Sequence, residues 1–480
     1  MNGSTPSGFT KRRFLQAGMT VIAVGALAPW PSWAREPRVL INDVTRLNPV
    51  WVKQVLVPTS TAEICQALAT SDDPVSIGGG CYSMGGQIAA QDSLHLDMRQ
   101  LNQVVSFAPE RRAIRVQSGI RWRDLQTVID PYDLSVKIMQ SYADFTVGGA
   151  LSVNAHGRYV GAGPLINSVR SLQLVLANGS VVEASRQENA DLFHGAIGGY
   201  GALGVITEVE LDLVPNVVME RHVEHMPLAA YLAFFNEQVR GSAKAILHNA
   251  DLAPPHFDQA VCVTWRETNK KLTVNDRLVP AQASYKLERA AMWSITRLPG
   301  GPLIRQALID PLRYRGAAVV HRNYEASLDV TSLGPIATQH DTYALQEYFV
   351  PIAQFGPFAM RMAEILQAHK ANVINVSVRH APRETESYLC WAREEVFSFV
   401  LFYWQRTAPE ACLEVGRWTR ELIDCALALG GTYYLPYQLH ATREQFSAAY
   451  PGARRLRDLK AKVDPGNRLR NKLLEHYFPV

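Results

Sequence analysis

Residues 194–215 read HGAIGGYGALGVITEVELDLVP, and three glycines within them, Gly199, Gly201 and Gly204, have the G-x-G-x-x-G spacing of a dinucleotide-binding loop. In a Rossmann fold this loop follows a strand and opens a helix, so that the helix N-terminus meets the pyrophosphate. Here the order is reversed, because a short helix is predicted before the glycines. Apolar and polar residues then alternate over 205–213, which predicts a half-buried strand. The stretch therefore argues against a Rossmann fold, and the glycines need another explanation.

The first 34 residues have the features of an export signal. A basic stretch, TKRRFLQAG, precedes twelve mostly apolar or small residues, Ala17–Ala28, and a small-residue cleavage site. Twelve residues are well short of the ~20 that span a bilayer, which indicates a signal peptide and not an anchor. The segment resembles a twin-arginine signal, with Lys11 in place of the first arginine if Arg12 is the second. We expect an exported, periplasmic protein with no integral membrane segment after signal removal.

Charge and composition exclude several classes of partner. The 480 residues carry a formal net charge of +4, of which the first 34 residues supply three charges, so the mature chain is nearly neutral. A neutral chain has no electrostatic basis for binding nucleic acid or an anionic membrane. No histidine or cysteine cluster has the spacing of a metal site, and no P-loop or G-x-S-x-G occurs. We expect neither metal nor nucleic acid.

Two further glycine-rich stretches occur at predicted strand boundaries before the one at 199–204. They are IGGGCYSMGGQ at 77–87 and TVGGALSVNAHG at 146–157. Glycine lacks Cβ, so the N–H groups around it can approach a pyrophosphate closely and form a concavity that binds anions. Three such loops in one compact unit predict a shared nucleotide cradle that needs no helix N-terminus.

In order and spacing, the residues from Trp51 to Pro215 resemble the vanillyl-alcohol oxidase and p-cresol methylhydroxylase superfamily of FAD-binding oxidoreductases. The later stretches LQEYFVP (345–351) and VDPGNRL (463–469) resemble the branch of that superfamily that contains the aldonolactone and alditol oxidases and decaprenylphosphoryl-ribose oxidase. The resemblance implies an α+β fold with a two-subdomain FAD-binding domain at 45–215. It further implies a cap domain at 216–440, with an antiparallel sheet and flanking helices, and a C-terminal segment at 441–480 that returns to the FAD domain.

The resemblance implies that FAD is the cofactor and that the three loops hold it. The residues expected to contact it are Ile77, Gly78, Gly79, Gly80, Cys81, Tyr82, Ser83, Gly86, Gln87, Gly119, Thr146, Gly148, Gly149, Ser152, Asn154, His156, Gly157, Gly201, Gly204, Val205 and Ile206. Many relatives carry a histidine that bonds covalently to the flavin at the position of Tyr82. A tyrosine is not expected to make that link, so we predict non-covalent FAD.

Oxidation of an alcohol by a flavin requires a base for the O–H proton. His156 lies beside the run expected to contact the flavin ring, and it fits either this role or a structural one. In the cap, alditol oxidases have an acidic residue two positions before an arginine; here Arg379 is present and the acid is replaced by Ser377. Those relatives also have a lysine near the end of the cap, where this chain offers Tyr434, Tyr437 and His440. Gln346 and Tyr348 are further candidates for the pocket.

Together these features predict an exported FAD-dependent enzyme that oxidises a C–OH group of a sugar, aldonolactone, polyol or similar alcohol. Oxygen or another acceptor would take up the electrons. Two alternatives remain open at this point. One is a phenolic or other non-sugar alcohol oxidase on the same fold, and the other is a flavin-binding protein without turnover, because the acid and the lysine are missing.

Overall fold

The computed structural model describes residues 38–280, 286–298, 300–305, 309–330 and 337–479. The predicted signal peptide at 1–34 lies outside the described residues. Within them, no helix combines the length and the apolar character that crossing a bilayer requires.

The first part of the described chain alternates short strands and short helices. The strands are β1 (Val39–Ile41), β2 (Val50–Val52), β3 (Gln54–Leu56), β4 (Val75–Gly78), β5 (Leu94–Asp97), β6 (Val104–Ala108), β7 (Ala113–Gln117), β8 (Leu134–Val136), β9 (Val169–Val175), β10 (Val181–Ser185) and β11 (Val205–Pro215). The helices are α1 (Thr61–Thr70), α2 (Trp122–Ile129), α3 (Val147–Ser152) and α4 (Ala190–Ala196).

Longer strands follow. They are β12 (Val218–Pro227), β13 (Ala245–Leu252), β14 (Gln259–Glu267), β15 (Val319–His321), β16 (Asp341–Pro351), β17 (Val373–Ala381), β18 (Val396–Arg406) and β19 (Thr432–Tyr433). The helices of this part are α5 (Leu228–Phe234), α6 (Lys286–Arg297), α7 (Gly301–Ile304), α8 (Asp310–Arg313), α9 (Arg322–Ala326), α10 (Phe355–Ala368) and α11 (Pro409–Ala428). The last helices are α12 (Arg443–Ala449), α13 (Ala453–Val463) and α14 (Lys472–Tyr477).

A small parallel sheet, ordered β3-β5-β4, carries the first glycine loop at the end of β4. Helix α1 packs on this sheet through Ile64 and Leu68. The C-terminal segment joins the edge of the sheet, because Leu469 forms a parallel bridge with Val75. The tail therefore contacts the strand that leads into the first loop.

An antiparallel sheet, ordered β10-β9-β11-β7-β6, carries the third glycine loop at the start of β11. The predicted hairpin is present, since β9 and β10 pair around Asn178 and Gly179, and Gly179 has the positive φ of 83° that such a turn requires. In β11, buried residues alternate with half-buried ones from Val209 to Val214, so the predicted half-buried strand is confirmed.

Among the described residues, β12 to β19 form one eight-stranded antiparallel sheet, ordered β15-β12-β14-β13-β17-β18-β16-β19. Helices α10 and α11 pack on one face of β16 and β18. The predicted α+β class with an antiparallel cap sheet is confirmed. The domain boundaries at 215/216 and 440/441 remain predictions, although β11 ends at Pro215 and β12 begins at Val218.

Candidate active site

The three glycine loops contact one another. Gly80 N donates to Thr146 Oγ1 at 3.3 Å, which ties the first loop to the second. A Cβ added to Gly79 would collide with the same hydroxyl, and one added to Gly201 would lie 3.2 Å from Ile77 Cδ1, which ties the third loop to the first. The close approaches exist because these positions lack side chains.

The third loop ends in a strand and not in a helix. Tyr200 and Gly201 take positive φ values of 54° and 75°, and β11 begins directly after Gly204. The C-terminal segment holds the loop from behind: Asn471 Nδ2 donates to Tyr200 O at 2.8 Å, and Lys460 Nζ donates to Ala202 O at 3.4 Å. The glycines of GYGALG thus form an irregular turn fixed by side chains from the tail.

The three loops line one open cavity together with residues of the cap sheet, which form its cap wall. The empty space of this cavity is about 1550 Å³, counted out to the open mouth. Fifteen of the residues predicted to bind the cofactor line it, namely Ile77, Gly79, Gly80, Cys81, Tyr82, Ser83, Gln87, Thr146, Gly148, Gly149, Ser152, His156, Gly201, Gly204 and Ile206.

Six residues predicted to bind the cofactor do not line the cavity: Gly78, Gly86, Gly119, Asn154, Gly157 and Val205. The four glycines among them allow the chain to pack on itself. A Cβ at Gly78 would lie 2.8 Å from the His95 ring, and one at Gly119 would overlap Met98 O. Asn154 accepts from Ile166 N at 3.1 Å and so braces the second loop. These positions shape the loops that border the cavity.

The cavity fits a flavin dinucleotide. The hydroxyls of Ser118 and Ser141 are buried in its lining and have no hydrogen-bond partner among the described residues. Buried hydroxyls are normally paired, so these two are suited to bind ligand atoms. Arg379 is the single Lys or Arg among the described lining residues, and it lies on the cap side. A diphosphate would therefore be held on the loop side by backbone N–H groups and hydroxyls.

The two residues nearest the expected covalent position are poor nucleophiles. Burial raises the pKa of the Cys81 thiol to about 11 and that of the Tyr82 hydroxyl to about 12. Both side chains line the cavity, and the Tyr82 ring packs edge-on against Phe145 with centroids 4.6 Å apart. Because the reactive form of a thiol is the thiolate, Cys81 is almost entirely in its unreactive form near neutral pH.

The cap wall carries a hydrogen-bonded network centred on Glu347 of β16. Its side chain is 2% exposed. One oxygen, Oε1, lies 2.6 Å from His156 Nε2, and the other, Oε2, accepts from the Tyr437 hydroxyl at 3.2 Å. Burial, the largest effect, favours the neutral acid, but His156, Arg379 and Tyr437 together lower the pKa of Glu347 below its ordinary value. Glu347 is therefore a buried carboxylate with charged and polar partners.

Four of the six predicted catalytic residues line the cavity: His156, Arg379, Tyr434 and Tyr437. Arg379 Nε is buried without a hydrogen-bond partner among the described residues. The Tyr434 hydroxyl already has a hydrogen-bond partner within the protein, because it donates to Val153 O at 2.8 Å. Burial and Glu347 raise the pKa of Tyr437 well above its ordinary value, so its hydroxyl stays protonated.

The other two predicted catalytic residues, Gln346 and His440, lie outside the cavity lining. Successive side chains of a strand point to opposite faces, so Gln346 faces away from the side that Leu345 and Glu347 present to the cavity. His440 packs toward α11, where a Cβ added to Gly416 would lie 3.2 Å from its Nδ1. Burial lowers the pKa of His440 to about 4, which leaves its ring neutral.

Sequence reasoning missed Glu347, although it selected the residues on either side. Ser377, Val400 and Glu347 are direct cross-strand partners on β17, β18 and β16, so their side chains share one face of the sheet. The carboxylate on this face therefore comes from a strand two positions away from Ser377. To predict Glu347, one would need to know the register in which β16, β18 and β17 pair, and a single sequence does not give that register.

Comparison with known proteins gives matches along most of the chain. The family model described as "FAD binding domain" matches residues 52–185. L-gulonolactone oxidase from Mus musculus is 24% identical over 435 residues, which cover 88% of this chain and 94% of that protein. Alditol oxidase from a Streptomyces species is 31% identical over 210 residues, 43% of this chain and 49% of that protein. L-galactono-1,4-lactone dehydrogenase from Arabidopsis thaliana is 30% identical over 197 residues, 40% of this chain and 31% of that protein.

Proposed function

The chain belongs to the p-cresol methylhydroxylase-type FAD-dependent oxidoreductases, in the aldonolactone and alditol oxidase branch, and we propose that it oxidises a C–OH group of a sugar, aldonolactone or polyol. When bound, FAD supplies the acceptor for the two electrons and the hydrogen that leave the substrate carbon. The observation that carries the proposal is the position of Glu347, Arg379 and Tyr437, which line the same cavity as the glycine loops.

The polarity of the cap wall supports a substrate with several oxygens. A carboxylate, a guanidinium and a phenol hydroxyl line it, and Arg379 Nε has no partner among the described residues. Buried polar groups of this kind bind ligands that pair with them and reject ligands that leave them unpaired. A purely phenolic substrate would leave at least one of them unpaired, whereas a polyol or lactone offers a hydroxyl or carbonyl oxygen to each.

Arg379 is the residue that we expect to orient the substrate oxygens. Its guanidinium carries five donors and no acceptor, and it lies on the face of β17 that lines the cavity. Tyr434 has a supporting role, because its hydroxyl is bound to Val153 O and its ring packs beside His156, with centroids 5.8 Å apart. The wall therefore separates residues that contact substrate from residues that hold the wall in shape.

An anaerobic flavin-reduction screen tests the substrate class. We expect the bound FAD to bleach with members of an aldonolactone, aldose and alditol panel and not with phenols. Arg379→Gln should raise KM for the best substrate by about 10- to 200-fold, the cost of losing a buried charge-assisted contact. Arg383→Gln, an exposed position on the same segment, is the matched control. Bleaching by phenols alone would refute the proposal.

We propose that the FAD is bound without a covalent link. The support is the burial of Cys81 and Tyr82 as un-ionised side chains, together with the absence of a histidine at position 82. After acid precipitation the yellow colour should be in the supernatant, and colour in the pellet would contradict the proposal. FAD released in this way can also be quantified against protein.

We further propose that the protein is exported and that oxygen or another acceptor reoxidises it. The support for export is the sequence of residues 1–34, and replacing Arg12 and Arg13 by lysine should retain the protein in the cytoplasm on fractionation. The acceptor is tested separately, by mixing the reduced enzyme with air-saturated buffer. Rapid reoxidation identifies an oxidase, and slow reoxidation identifies a dehydrogenase that needs another acceptor.

A further inference from the structure

His156, the histidine expected as the base, does not present a free ring nitrogen to the cavity. Its Nε2 lies 2.6 Å from Glu347 Oε1, and its Nδ1 lies 3.4 Å from the carbonyl oxygen of the next residue, Gly157. Its side chain is 5% exposed. Three aromatic rings surround it with centroids 4.9–5.8 Å away: Phe349, Trp391 and Tyr434. A ring enclosed in this way holds a partner in place and has no lone pair directed at substrate.

Resting on the proposed function, we propose that Glu347 is the catalytic group that takes the hydroxyl proton of the substrate, and that His156 is its positioning residue. Glu347 lines the cavity, and its two oxygens have different partners. Oε1 is held by His156, whereas Oε2 accepts only from Tyr437 at 3.2 Å. Each carboxylate oxygen has two acceptor directions, so Oε2 keeps one for the substrate hydroxyl.

The neighbouring polar groups of the cap wall are unsuited to accept this proton. Arg379 is a permanent cation with donors only. The Tyr437 hydroxyl stays protonated, because burial and the adjacent carboxylate raise its pKa. The Tyr434 hydroxyl is bound to Val153 O. Among these described groups, Glu347 alone combines a free acceptor direction with a negative charge.

The basicity required of Glu347 is small. When the C–H hydrogen leaves the substrate carbon with its electron pair, which bound FAD would accept as the oxidant, the O–H bond would break, its electrons would complete the carbonyl, and its proton would join Oε2. A hydroxyl on a carbon that is becoming a carbonyl is strongly acidic, so a weakly basic carboxylate is an adequate acceptor. The titratable and charged groups that face Glu347 are His156 after α3, Arg379 on β17, Tyr437 and Tyr434 after β19, Tyr200 in the third loop and Tyr450 after α12.

The pH dependence of the wild-type enzyme separates the two possible acceptors. Because the pKa of Glu347 is lowered, the rate of anaerobic FAD reduction should be constant from about pH 5.5 to about pH 8, above the ordinary carboxylate range. If a neutral histidine ring were the acceptor, the rate would fall as the pH is lowered and the ring becomes protonated. Such a fall would overturn the proposal.

A matched pair of substitutions tests the residue itself. Glu347→Gln should reduce the limiting rate of FAD reduction by about 10²- to 10⁴-fold, the usual contribution of a positioned base. The control is Glu395→Gln, which removes a similar Glu–His contact, 2.8 Å to His380, outside the cavity lining. It should leave the rate within about twofold. Equal rates in wild type and Glu347→Gln would overturn the proposal.

The positioning role has a readout that does not need turnover. With ¹⁵N-labelled histidine, the ring signals of His156, assigned by their loss in His156→Gln, should shift in Glu347→Gln and stay in place in Glu395→Gln. Unchanged signals would show that the two side chains are not paired. If Glu347→Gln fails to retain FAD, the wild-type pH dependence decides. If no alcohol reduces the FAD of the wild-type enzyme, the proposed function itself is refuted. If an alcohol does reduce it but the rate falls at low pH, only the assignment of Glu347 as the proton acceptor is refuted.

Discussion

Replacing Lys460 by methionine should destabilise the protein by about 3–5 kcal/mol. Lys460 lies on α13, and its ammonium group donates to Asp464 Oδ2 at 2.6 Å, to Leu469 O at 2.9 Å and to Ala202 O at 3.4 Å. The lysine and aspartate side chains are 9% and 1% exposed. A single ammonium group therefore joins the tail to the third glycine loop.

Burial decides the magnitude. An exposed ion pair contributes about 0–1 kcal/mol, but removing one partner of a buried pair leaves an uncompensated charge and costs about 3–5 kcal/mol. Asp464 would be left in that state, since it is held in place by Arg468 N at 2.8 Å and Leu469 N at 2.9 Å. In the double variant Lys460→Met/Asp464→Asn the charge is absent, and the amide oxygen can still accept one of the two N–H groups, which bind separate carboxylate oxygens in the wild type. It should therefore regain part of the loss.

Urea unfolding followed by circular dichroism and by flavin fluorescence measures both effects. Flavin release should occur at lower urea in Lys460→Met, because the contact with Ala202 O in the third glycine loop is lost. The control is Lys462→Met, an exposed position on the same helix, which should lie within about 0.5 kcal/mol of wild type. A single variant within about 1 kcal/mol of wild type, or a double variant no more stable than the single one, would refute the reasoning.

Three further predictions concern the loops and a surface histidine. Gly79→Ala should weaken FAD binding about tenfold or more, because its Cβ would collide with Thr146 Oγ1 and overpacking costs about 1–3 kcal/mol. The control is Gly356→Ala, where an added Cβ meets nothing within 4 Å; it should bind FAD normally in the same titration. Asn471→Asp keeps the N-cap of α14 but replaces the buried donor to Tyr200 O by a carboxylate oxygen. It should therefore weaken FAD binding and also lower the melting temperature, and wild-type values of both would contradict this. Hydrogen bonds to Glu414 and Glu421 on α11, the first being the larger effect, raise the pKa of His369. The contribution of these hydrogen bonds to the folded state is complete below the ordinary histidine pKa of about 6.5 and is lost as the pH rises through the raised pKa. The melting temperature of His369→Gln should therefore lie below that of the wild type at low pH and approach it at high pH. A difference that does not change with pH would contradict this role of the contact.

The sequence predicts the fold better than it predicts which glycines line the cavity. The alternation along β11 and the turn at Asn178-Gly179 are local patterns, and both appear as predicted. Gly78 and Gly119 lie in the same glycine-rich pattern as Gly79, yet they accommodate the chain itself. A missing Cβ is needed equally where a ligand and where another strand comes close. The residue pattern therefore locates the cradle without separating its inner surface from its supports.

Glu347 shows a different limit, which arises from burial on both sides of a strand. A strand with one solvated face displays its inward residues by alternation, but almost every residue of β16 is buried. On one face Tyr348 packs against Phe358 of α10, and on the other Glu347 meets His156 at the cavity. With both faces buried, nothing in LQEYFVP indicates whether Gln346 or Glu347 faces the cofactor. The packing of α10 against β16 decides it, because the helix occupies the face that carries Gln346 and Tyr348 and leaves the carboxylate on the face toward the glycine loops.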